Sequence, residues 1–279
     1  VQKIVSALAL LALPLAVNAM PCKFSAPRNA DIDSAGLKAL QLNLGSSDLD
    51  IQSVPGLTKV EVRATACASE ASWLADMQVS TARSGEHASV DAKNNHNGMT
   101  FSLFGASSYA YLKLQVRVPA ALAISIDSGS GDVHASSLAS LDFKSGSGDL
   151  VVGDIAGPLA LQLGSGDVQG HQVGSVELRR TGSGDVRVDG IQGNVSADHA
   201  GSGDLDFSHV SGSVKVGDTG SGDVTVSHVA QNVEVGSTGS GDVDAEDVGG
   251  NFTVHATGSG DVTHNGVKGK VDVPKSDDD

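Results

Sequence analysis

Gly-Ser-Gly-Asp followed by Val or Leu occurs eight times in this chain of 279 residues, with the aspartates at Asp132, Asp149, Asp167, Asp185, Asp204, Asp223, Asp242 and Asp261. The steps between them are 17, 18, 18, 19, 19, 19 and 19 residues. A fixed period near twenty marks a solenoid, whose units bury an apolar face only against their neighbours. Counting from each Asp, the third residue is often apolar, as in Val152, Val188, Phe207 and Val226. The sixth is aliphatic in every unit: Leu138, Ile155, Val173, Ile191, Val210, Val229, Val248 and Val267. In the longer units the tenth and twelfth follow suit, for example Val214 with Val216 and Val233 with Val235.

Each unit is therefore two short stretches with their apolar residues on one face, which is strand periodicity. β-Branched side chains fill the apolar columns and suit strands better than helices. A turn such as Ala230-Gln231-Asn232 separates the two stretches, and Gly-Ser-Gly separates the units. The predicted fold is all-β: a β-solenoid, similar to a parallel β-helix, of about eight coils of 17–19 residues. At a strand spacing of ~4.8 Å eight coils make a rod of roughly 38 Å. No unit carries a face of period 3.6, which excludes a helical repeat.

The array occupies residues 128–273, with an N-terminal β region over 20–127 and an acidic tail at 274–279. Residues 45–65 read as a degenerate coil, with Asp48 in the Asp place and Leu49, Ile51, Val54, Val60 and Val62 in apolar places. Residues 67–127 then break the period and carry Trp73, Phe101, Phe104, Tyr109 and Tyr111. Such a segment is expected to be a cap over exposed strand edges. Beyond the array, Pro274 stops pairing and the acidic tail discourages end-to-end stacking.

Residues 1–19 join Lys3 to an uncharged run from Ile4 to Ala19 that ends Ala-Val-Asn-Ala, which reads as a secretory signal peptide cleaved after Ala19. The run is too short to span a bilayer comfortably, and no later segment is apolar enough. The mature chain is expected to be exported, to the periplasm or the cell surface. Two cysteines in an oxidising compartment pair as a rule, so Cys22 and Cys67 are expected to form a disulfide. The formal charge of −15 repels nucleic acid and anionic membranes.

The stretch "YLKLQVRVPAALAISIDSGSGDV", residues 111–133, with the Ser-Gly-Asp coils after it, resembles a bacterial domain family of unknown function described as putative adhesins. A related family is described as the head domain of putative auto-transporter adhesins. The resemblance spans about residues 35–273 and implies an exported β-helical domain with no catalytic residues to carry over. An auto-transporter also needs a barrel of ~10-residue amphipathic strands, and none follows the array.

Asp127-Ser128-Gly129 and Asp218-Thr219-Gly220 match the aspartic-protease signature. Both, however, sit in a variable column that elsewhere holds Lys144, Gln162, Arg180, His199, Ser237 and Ala256. Calcium-binding β-rolls repeat every nine residues with facing aspartate turns. Here the facing turn, such as Gly212 or Gln231-Asn232, has no carboxylate column. His209, His228 and Asp247 share one column and are the candidate metal ligands. The eight repeat aspartates are expected to be structural, each held by backbone N–H groups of its own glycine-rich turn, and no cofactor is implied.

The functional expectation is a non-enzymatic adhesin or envelope scaffold that binds a macromolecule, protein or glycan. The alternatives are a carbohydrate-binding or carbohydrate-cleaving β-helix, and a periplasmic sensor accessory.

Overall fold

The computed structural model describes residues 22–96 and 108–274. The expected signal peptide, Phe101, Phe104 and tail residues 275–279 lie outside the described residues. The described chain is all-β, with one short 3₁₀ turn at Ala71–Asp76. It forms the β-solenoid that the repeat implies.

One coil shows how the pattern folds. Its two strands are Val186–Ile191 and Val195–Ala200. Val186, Val188 and Ile191 point inward, whereas Arg187 and Asp189 point out. Alternation would send the residue before Ile191 inward, but that residue, Gly190, adopts a left-handed φ of 74° and turns the chain instead. The same corner recurs in all eight units, at Ser137, Asp154, Gln172, Gly190, His209, His228, Asp247 and Gly266. This corner is why the aliphatic column falls at the sixth place and not the fifth.

Coils stack in parallel register, Val186 on Leu205 on Val224 on Val243, and Val195 on Val214 on Val233 on Phe252. The sixth-place column is buried from Leu138 to Val248. Fully burying each such side chain contributes about 1.5–3 kcal/mol before entropy is subtracted.

Ten strands cap or open the array: β1 (Phe24–Pro27), β2 (Ala30–Asp33), β3 (Ala39–Gly45), β4 (Asp48–Ser53), β5 (Lys59–Ala68), β6 (Met77–Ser84), β7 (His87–Asn94), β8 (Ala110–Val118), β9 (Ala123–Ser128) and β10 (Val133–Ser136). Their spatial order departs from chain order. The β3–β4 coil lies directly on the first regular coil, with Leu42 beside Ile126 and Leu49 beside Val133. Its other side carries β7 and β8, with Leu42 beside Val90 and Leu49 beside Leu114. Residues 67–127 therefore do not separate the Asp48 coil from the array.

Val60 and Val62 are buried, but they do not complete the Asp48 coil. They lie in β5, which runs antiparallel to β8. β6 pairs antiparallel with β7, and β1 and β2 run antiparallel beside β5. The switch from parallel to antiparallel pairing covers this end of the rod. Cys22 and Cys67 are joined in a disulfide that ties the chain ahead of β1 to β5. Trp73 stacks on His96 at 5.0 Å in the same cap. At the other end Val262, Val267, Val271 and Val273 are only partly buried.

Candidate functional site

The repeat aspartates stand in one exposed column, and each side chain from Asp132 to Asp242 faces the next coil. The amide of Asp149 donates to the Asp132 carboxylate at 3.1 Å, that of Asp167 to Asp149 at 2.9 Å and that of Asp185 to Asp167 at 2.9 Å. The chain of bonds continues to Asp261, whose amide donates to Asp242 at 2.8 Å. It begins at Asp48, which accepts from the Asp132 amide at 3.3 Å. The donors are thus the next coil's aspartate amides, not the glycine-rich turn's own N–H groups. The first glycine and the serine of each turn bond to carbonyls of the coil before, as Ser202 does to Gly182 at 2.8 Å, while the Gly148 amide bonds to the Ser145 hydroxyl at 2.9 Å.

The glycines have a different reason. A Cβ on Gly222 would run into the carbonyl oxygen of Gly203, and one on Gly220 into that of Gly201. Turns stacked at strand spacing bring backbone onto backbone and leave no room for a side chain. Beneath them, Ser128, Ser145 and Thr181 donate their hydroxyls to the carbonyls of Gly131, Gly148 and Gly184.

The candidate metal column is brought together, but not as a chelate. His209 and His228 lie face to face at 4.7 Å with 11° between their planes. Parallel rings send their nitrogen lone pairs side by side, not toward one point. The His209 Nδ1 is 2.7 Å from Asp189, and the His228 Nε2 is 3.5 Å from Asp247. Hydrogen bonds from Ser208 and His209 hold the Asp189 carboxyl below the usual carboxylate range. Among the described residues no three His, Cys, Asp or Glu side chains converge as a metal site.

The two protease-like aspartates stay apart. Asp127 and Asp218 are joined through five strand pairings, a separation of roughly 24 Å at strand spacing. Two carboxylates at that range cannot share a proton. Asp127 instead pairs with Lys144 at 3.4 Å, and Asp218 accepts from Ser237 at 2.7 Å.

One concavity, of about 430 Å³, lies on the strand face built by β8, β4, β10 and the first halves of the next two coils. Ser136 and Gly153 lie side by side in one outward column, with Gln52 and Arg117 before them and His171 after. His134 and Val151 follow one another in the neighbouring column, and Asp154 also lines the space. The His171 ring covers Gly153 so closely that a Cβ there would collide with it. Asp50, also in the lining, lies 3.7 Å from the His134 Nδ1 and 3.8 Å from the Lys113 Nζ.

Val151 and Gly153 belong to no motif, and the only signal for them is their departure from the repeat. Val151 occupies an outward column otherwise filled by His134, Gln169, Arg187, Asp206, Thr225, Asp244 and Thr263. It is 41% exposed. Gly153 interrupts the next outward column, where other coils place Ser136, His171, Asp189 or Ser208. Both exceptions fall in one coil, and both line the basin.

No curated protein sequence matches the chain. Among solved structures it is similar to a putative adhesin from Parabacteroides distasonis ATCC 8503, at 13% identity over 86% of this chain and 97% of that one, with a TM-score of 0.47. It is also similar to a putative cell adhesion protein from Clostridium sporogenes ATCC 15579, at 10% identity over 73% and 99% with a TM-score of 0.41. A putative adhesin from Bacteroides fragilis NCTC 9343 matches at 14% identity over 91% and 99%, with a TM-score of 0.37. The family described as Toastrack DUF4097, a domain of unknown function, matches residues 60–229, more than half of the chain. With its stacked parallel coils and that match, the chain belongs to the Toastrack DUF4097 family.

Proposed function

We propose that this is an exported, non-enzymatic β-solenoid that binds another macromolecule through its lateral strand face, as an adhesin or an envelope scaffold. The observation that carries the reading is the face itself. Outward side chains repeat at coil spacing on a fully paired, rigid sheet, and many are tied to their neighbours one coil away. Arg187 holds Asp206 at 2.8 Å, Ser208 donates to Asp189 at 2.7 Å, and Thr263 donates to Asp244 at 2.9 Å. Such a face offers a partner a pre-organised surface and loses little entropy on binding.

Export is supported by the apolar segment at 1–19 and by the Cys22–Cys67 disulfide, a bond that persists in oxidising compartments. The test has two arms. Protease shaving of intact cells, set against released periplasm, locates the protein; crosslinking followed by glycan-array binding reads its partner. Export with capture of a discrete protein or glycan and no turnover supports the reading. A cytosolic protein, or catalytic turnover of a glycan that binds the face, contradicts it.

A further inference from the structure

We infer that the basin around Ser136 and Gly153 is a subsite for an uncharged sugar ring. The inference rests on the lateral-face reading above and names the ligand class of that face. The volume of about 430 Å³ lies inside the usual range of small-molecule sites, about 300–1,000 Å³. The coil of Val151 and Gly153 departs from its repeat twice, and both departures shape this one place. Val151 supplies an apolar wall for the C–H side of a ring, and Gly153 lets the His171 imidazole lie against its backbone, where it lines the basin.

The polar groups decide the ligand class. Among the described residues Gln52, Arg117, Asp154 and His171 spend no side-chain hydrogen bond on the protein. They offer an amide, a guanidinium, a carboxylate and an imidazole around one small space. A ligand that both donates and accepts at several adjacent atoms satisfies all four, which is the property of a polyol. An anion would meet Arg117, but with it Asp50 and Asp154 inside a molecule of formal charge −15. A bare divalent cation lacks three converging ligands among the described residues. A peptide adding as a strand needs an edge, but β4 is paired on both sides by β8 and β10.

The test uses the full chain with methyl glucoside, galactoside, mannoside and N-acetylglucosaminide. Glucuronate and glucosamine serve as charged comparators. Saturation-transfer NMR and calorimetry are expected to give binding of at least one neutral glycoside in roughly the millimolar range, as befits an open site. Val151→Thr, which places on the face the residue found at Thr225, should weaken it about fourfold, one methyl group of apolar contact. Gly153→Gln, whose side chain must push the His171 ring aside and enter the basin, should weaken it by about tenfold or more. Thr225→Ala, remote on the same face, should leave it unchanged, with all variants checked by circular dichroism. No transfer to any neutral glycoside at about 50 mM, well above that range, would overturn the inference. So would undiminished binding by folded Gly153→Gln, or tighter binding of a charged sugar. If crosslinking still captures a partner while no sugar binds, the subsite fails and the lateral-face reading stands.

Discussion

Gln172 holds a φ of +53°, in the left-handed region where a side chain strains the backbone. Its neighbours in that column include Gly190 and Gly266, which take the same turn without a Cβ. Gln172→Gly is therefore expected to stabilise the protein by about 1 kcal/mol, offset in part by a more flexible unfolded chain. A chemical denaturation midpoint that moves down would contradict this. Asp189 is the site for a pH prediction. Its folded-state pKa lies below the ordinary value, so its contribution is present above about pH 4 and lost as pH falls through the folded pKa. The wild type should exceed Asp189→Asn in melting temperature at pH 6, and the gap should close toward pH 2. A gap that is constant with pH would show that the carboxylate charge does not matter there.

Between residues lie the strands and turns. Gly222 sits where stacked turns touch, so Gly222→Ala forces its Cβ against the Gly203 carbonyl. Backbone cannot yield as a side chain tip can, and the expected cost is about 2–4 kcal/mol. An unchanged melting curve would mean that the turns are not stacked as described. The strands were legible in the sequence because burial repeats: Val210, Val229 and Val248 share a column in the text and in space. The Asp48 coil was legible only in part. Leu49 and Ile51 carry the pattern, but nothing local says that β4 pairs with both β8 and β10. Val60 and Val62 alternate like a coil strand because antiparallel and parallel strands share the same period of two. The left-handed corner was hidden as well, since six of its eight positions carry no glycine. The glycines that were visible served close stacking and not carboxylate binding.

The whole molecule is a one-dimensional stack, so its stability is close to a sum of coils and the contacts between them. The Cys22–Cys67 bond closes a separation of 45 residues at the capped end. Reducing it should cost about 4 kcal/mol on the loop-entropy estimate. The loss should appear as a lower denaturation midpoint in reductant that a Cys22→Ser, Cys67→Ser double variant reproduces. Along the rod runs the aspartate ladder, from Asp48 to Asp261. Carboxylates at coil spacing repel by roughly 0.9 kcal/mol per neighbouring pair even in water. The amide of the next coil returns a charge-assisted hydrogen bond of about 1.5–3 kcal/mol. On this account the ladder fixes coil register and needs an acceptor oxygen more than a charge. The second corner already does the same with neutral amides: Asn232 accepts from Asn251 at 2.8 Å, and Asn251 from Lys270 at 2.9 Å.

The most direct measurement is a melting curve of the wild type, Asp223→Asn and Asp223→Ala, each with chelator and with millimolar calcium. Asp223→Asn, which keeps the acceptor and removes one repelling charge, should melt at or above the wild type. Asp223→Ala, which orphans the Asp242 amide, should melt about 2–6 °C lower, and calcium should move none of the three. A rise of many degrees with calcium in the wild type, lost in both variants, would make the column an ion site and contradict the account.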